Sequence, residues 1–110
     1  MTVAGGGNTV LEPGDTVAAL QVELRRPRSV TVSAKGVIYV ATDYQVVKIA
    51  NNNASVAVGA ETEGFNGHER APLSTRLEGV SDVAVAPSGE LYFTEDGNEM
   101  VRVVTRDYIN

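Results

Sequence analysis

Hydrophobic and polar positions alternate along this chain in short bursts, and no long stretch keeps the i, i+3, i+4, i+7 spacing of an amphipathic helix. Ser29 to Ser33 alternates around Val30 and Val32, and Ala34-Lys35-Gly36 then reads as a turn. Val37 to Ala41 is the next predicted strand, its Val, Ile and Tyr suited to a pleated surface. A turn at Asp43-Tyr44 leads to a third strand, Gln45 to Ala50. Asn51-Asn52-Asn53 is a turn signal, because Asn side chains bond the local backbone and tolerate left-handed conformations. Ala54 to Gly59 is the fourth strand. Further along, Asp82 to Ala86, Glu90 to Thr94 and Glu99 to Thr105 repeat the pattern. Pro27, Pro72 and Pro87 break any longer helix, and only Asp15 to Leu24 leaves room for a single helical turn.

The two sets of strands are copies. SAKGVIYVATD, from Ser33, is matched by APSGELYFTED, from Ala86, 53 positions later. At that offset Ala18, Leu20 and Leu24 fall on Ala71, Leu73 and Leu77. Val30 and Val32 fall on Val83 and Val85, and Gly36, Tyr39 and Asp43 on Gly89, Tyr92 and Asp96. Beyond the turn the offset reads as 54, placing Val47-Lys48-Ile49 on Val101-Arg102-Val103, with one extra residue near Gly97-Asn98. Matching turns, apolar positions and Tyr over about 45 residues marks an internal repeat.

A four-stranded unit of this size has an apolar face that it cannot bury alone, and radial stacking of such sheets buries it. The expected fold is therefore all-β, built from two four-stranded propeller blades. Residues 29–59 form the first complete blade, and residues 80–110 supply three inner strands of the second. Residues 8–28 and 60–79 are loops that cross one end face from rim to axis, pinned by Leu20, Leu24, Leu73 and Leu77. Residues 1–7 are left as an outer strand with no sheet of their own.

The segments RPRSVTVSAKGVIYVATDYQVVKI and GVSDVAVAPSGELYFTEDGNEMVRVV resemble NHL repeats. The pieces VAGGG and VAVGAETEGFNGHERAPLSTRL resemble the bacterial linker between such repeats. Pro27, Val30 and Val32 sit on the family's first-strand pattern; Tyr39, Val40, Ala41 and Asp43 sit on its second. Asn98, Val101 and Arg102 sit on its third, in the second copy. Val80 stands at the usual proline site and Asp82 at a usual glycine, and the first copy lacks the Asn and first Arg near Gln45. The resemblance implies a six-bladed propeller. It also implies binding of proteins, peptides, RNA or sugars, or a sensor ectodomain; a few related propellers are metal-using enzymes. Two blades do not close a ring. Three chains do, as a homotrimer in which Thr2, Val3, Ala4, Gly5 and Gly6 of one chain pair beside the Val101 and Val103 strand of the next. The alternatives are another ring, a swapped dimer, or a monomeric piece of a longer chain.

Composition narrows the partners. The net charge is −5, with 9 basic and 14 acidic residues, which disfavours a nucleic-acid backbone or an anionic membrane surface as the ligand. No apolar run approaches the roughly 20 residues of a membrane-spanning helix. There is no cysteine, hence no disulfide or thiolate chemistry, and the compartment stays open. Asp15, Asp43, Glu61, Glu63, His68, Glu69, Glu95, Asp96 and Glu99 are expected at one loop-rich end of the ring. Such a negative face attracts a basic peptide or a cation. A solubilising surface is the plainer reading. His68, the only histidine, has Asp15 as its counterpart, so zinc chemistry would rest on three chains sharing a site. Asp43 and Asp96 suit bonding to turn amides better than a calcium cage. Arg102 and Lys48 are expected to pair with acids at blade surfaces, and Tyr39 and Tyr92 to face the core. No G-x-S-x-G elbow or phosphate-binding loop occurs. The expected function is a non-catalytic binding and assembly module for a peptide or protein, with no cofactor. The alternatives are carbohydrate or small-molecule binding, a metal-dependent lyase or hydrolase, and a purely structural role.

Overall fold

The structure, a computed structural model, describes residues 1–60, Gly64, residues 71–105 and the pair Tyr108–Ile109. It is all-β, with two antiparallel sheets, neither of which closes on itself. Among the described residues there is no α-helix, only a 3-10 turn at Pro72–Ser74. The first sheet has the order β1(Val17–Ala18), β5(Asn53–Val58), β4(Val46–Ala50), β3(Ile38–Ala41), β2(Ser29–Val32). The second has β6(Val80–Val85), β7(Leu91–Glu95), β8(Met100–Thr105) and β9(Tyr108–Ile109) in sequence order.

The strands expected from alternation are present to within one or two residues, and the edges differ for identifiable reasons. Val17–Ala18 pairs with Ala54 and Asn53 as a fifth strand, so the segment from Asp15 to Leu24 holds a strand rather than a helical turn. Tyr108–Ile109 pairs with Thr105 and Val104, so the second sheet has a short fourth strand of its own. Residues 1–7 form no strand within the chain. Gly5 donates its backbone N–H to the Ala19 carbonyl (2.8 Å), and Ala4 packs on the outer apolar cluster of the first sheet. The ladders also revise the repeat. Val40 faces Val47, while its counterpart Phe93 faces Arg102. The offset of the third strands is thus 55 rather than 54, because the second copy's turn has two extra residues.

The sheets stack in the same sense, one copy's leading face on the other's trailing face. The side of the first sheet bearing Tyr39 and Ala41 lies against the side of the second bearing Val83, Leu91 and Phe93, with Val46, Val58, Leu77 and Val80 completing this core. The inner strand β6 packs on β2 and β3. A second cluster lies on the opposite side of the first sheet. There Val40, Val47, Ile49, Ala54 and Val56 are covered by Leu11, Ala19, Val22 and Leu24 of the preceding segment. A β-bulge lets one strand serve both cores: Val46 pairs with Val58 but Val47 with Val56, leaving Ala57 unopposed. Ala54 and Val56 therefore face the outer cluster, and Val58 turns to the inter-sheet core.

Candidate functional site

The β3–β4 turn, the β7–β8 turn and the segment 71–79 converge at one end of the molecule, between the sheets. Backbone bonds assemble this end. The Asp43 carbonyl accepts from the N–H groups of Gly79 (2.8 Å) and Val80 (3.1 Å), and the Gly79 carbonyl accepts from Asp96 N–H (2.7 Å). Gly97 N–H donates to the Glu78 carbonyl (3.0 Å), and a Cβ on Gly97 would lie 2.6 Å from Glu78 Cγ, so glycine permits the approach. Gly79 has φ +67°, a conformation that side chains with a Cβ rarely adopt.

The acids expected on this end meet three different fates. Asp43 is half-buried, with Oδ1 3.5 Å from Arg26 Nε and 3.9 Å from Arg28 Nη2. Its carboxylate is matched by cations rather than bonded to turn amides. Glu95 is not on the surface at all. It is fully buried, its Oε1 3.2 Å from Arg102 Nη1, and its Oε2 accepts from Glu78 N–H (3.0 Å) and from the Asn98 amide. Arg102 does pair with an acid, as expected, but in the interior rather than on a blade surface. Two opposite charges taken from water together in this way hold the turn in one geometry. Asp96 and Glu99 are exposed, and Glu78, which pattern reading passed over, joins them. Asp15 is also exposed but stands apart, on the segment leading into β1 along the outer edge of the first sheet. Glu61, Glu63, His68 and Glu69 lie outside the described residues. Among the described residues, the negative surface of this end is centred on Glu78, Asp96 and Glu99.

Among the described residues no three metal-ligating side chains converge, and no helix is long and apolar enough to cross a membrane. A hollow of about 450 Å³ between the sheets is bordered by Tyr39, Lys48, Ser55, Gly89, Leu91 and Val104. It adjoins a smaller hollow of about 250 Å³ between the 33–37 and 85–89 turns, at the end opposite the acids.

One polar contact that pattern reading missed joins the repeats at equivalent positions. Ser29 Oγ donates to Asp82 Oδ1 at 2.6 Å, across the 53-residue offset. The Ser29 hydroxyl, and then the Val83 N–H at 2.9 Å, hold the Asp82 carboxyl below the usual carboxylate range. The signal was in the sequence, since the second copy has Asp82 at the position where the first has Ser29. Reading it required knowing that the two inner strands are neighbours.

No protein-family model matches the chain, and no curated protein matches it.

Proposed function

We propose that this chain is a non-catalytic binding and assembly module of the NHL propeller type, two blades of a six-bladed ring closed by three copies. It would take a basic peptide or protein segment on the Glu78, Asp96 and Glu99 end. The observation that carries this reading is the stacking sense of the two copies. A repeat stacked in one sense leaves the Tyr92 side of the second sheet bare and, on the first sheet, the β2 valines, the rest of that side being covered by the leading segment; rotation about a common axis closes such units. The acidic end supports the ligand class. Its fixed scaffold carries exposed carboxylates, while Asp43 and Glu95, already matched by arginines, hold the turns in place.

Light scattering across dilution tests the assembly: three copies of 11.6 kDa give 34.8 kDa, whereas a stable 11.6 kDa species would overturn it. Calorimetry with a lysine-rich peptide tests the ligand. Binding should weaken with added salt and fall in an Asp96→Asn/Glu99→Gln variant; equal binding by that variant would remove this end as the site.

A further inference from the structure

Strand β2 is amphipathic in the wrong sense for a strand whose apolar side is covered. Its hydroxyl residues Ser29 and Thr31 turn toward the second sheet, while Val30 and Val32 turn away from it and are 63% and 59% exposed. The counterparts of those valines, Val83 and Val85, pack against the first sheet, Val83 only 5% exposed. The mirror situation holds at the far side of the second sheet. Tyr39 packs in the inter-sheet core, but its counterpart Tyr92 is 44% exposed, beside Ala84 and Val101. These residues rim a shallow, largely apolar hollow of about 110 Å³ with Asp82 and Thr94. The chain therefore contains one made copy of a contact and the two unmade halves of another. The leading segment covers the outer strands of the first sheet, yet leaves free the β2 valines. β2 is the counterpart of β6, the strand through which the second sheet packs on the first.

We infer that the occupant of each bare face is a second copy of this chain: Val30 and Val32 of one copy seat on the Ala84, Tyr92 and Val101 face of another. This reproduces between chains the packing of Val83 and Val85 on Tyr39 and Ala41. The inference rests on the assembly reading above and specifies its seam. The contact is heterologous, so each copy has one donor face and one acceptor face. An apolar face that recurs inside the same molecule as a buried one has its complement already written in the repeat.

The test is complementation between two crippled chains. Val30→Asp blocks the first face and Val101→Asp the second; both side chains are exposed, so each variant should keep the wild-type circular dichroism, while its unfolding midpoint loses the concentration dependence that assembly gives the wild-type chain. Each alone should sediment as an 11.6 kDa monomer. Mixed in equal amounts they should form a 23.2 kDa pair, twice 11.6 kDa, because one sound face of each kind remains. If the wild-type chain is itself monomeric, the assembly reading and this seam fall together. If the wild-type chain assembles but the variants retain its mass, or the monomeric variants fail to pair on mixing, assembly uses another surface and the inference alone is overturned. Should either variant lose its fold, Val32→Asp and Tyr92→Asp replace the pair with the same expected masses.

Discussion

Val30 in the first sheet and Val83 in the second hold equivalent positions, yet one is largely in water and the other is sealed between sheets. The same split runs through Tyr92 and Tyr39 in the opposite direction. Composition does not separate the members of either pair; place in the stack does. The turn ends differ more deeply. In the first sheet the buried Thr42 hydroxyl donates to the Gln45 carbonyl at 3.0 Å, a neutral solution to closing the β3–β4 turn. In the second, Glu95 occupies the Thr42 position and is answered by Arg102, which stands where the first sheet has the apolar Val47. Two extra residues in the turn and an ion pair have replaced a hydroxyl and a valine. A repeat can therefore keep its backbone while one copy exchanges hydrophobic filling for charge.

The comparison can be broken most severely at the inter-sheet core. Phe93→Ala should cost about 3–5 kcal/mol, a large share of the roughly 5–15 kcal/mol by which such a domain is stable. Its counterpart Val40→Ala, at about 0.8 kcal/mol per lost methyl-sized group, should cost clearly less. Denaturant unfolding of both variants decides this, and equal losses, despite the smaller group removed at Val40, would make the outer cluster the tighter of the two. Next comes the charged turn. Glu95→Gln or Arg102→Met alone leaves a buried partner uncompensated and should cost about 3–5 kcal/mol, whereas Thr42→Val forfeits a single neutral bond, about 1 kcal/mol. The double change Glu95→Leu/Arg102→Met should recover much of the single-variant loss.

A smaller effect tests the backbone. Gly79 and its counterpart Arg26 share a left-handed conformation, φ +67° and +50°. Gly79→Ala should destabilise by about 1–2 kcal/mol, and more if Gly97 N, 3.1 Å from the added Cβ, fails to give way. Arg26→Gly should be close to neutral, because relief of strain offsets the loss of an exposed pair with Asp43. Thermal melts of the two variants read the difference. The smallest effect is at the Ser29–Asp82 contact. Ser29→Ala should raise the Asp82 titration midpoint toward the ordinary carboxylate value, as read by NMR. The folded-state pKa of Asp82 is depressed, so its contribution to stability is present above the unfolded pKa and fades as pH falls through the folded one. In Ser29→Ala that acid-side loss should shrink.

Strand positions were legible because each strand is short, alternating and bounded by Gly, Pro or Asn, and local chemistry suffices for that. The relation between the copies was legible for the same reason, up to the turn at Gly97-Asn98. There the count failed by one, since only the ladder partner of Phe93 shows which residue continues the register. What could not be read was every property set by a distant neighbour. Glu95 looks like an exposed turn acid until Arg102 is brought beneath it across the β7–β8 hairpin. Tyr92 looks like a core residue because its copy, Tyr39, is one. The strand at Val17–Ala18 forms because Ala54 and Asn53 offer it an edge, and two residues carry no period of their own.

The unopposed Ala57 has a consequence for how the molecule comes apart. Since β5 sends Ala54 and Val56 to one apolar cluster and Val58 to the other, neither cluster can melt while the strand stays in place. The first sheet is a party wall between two rooms, and the rooms should empty together, in a single cooperative transition.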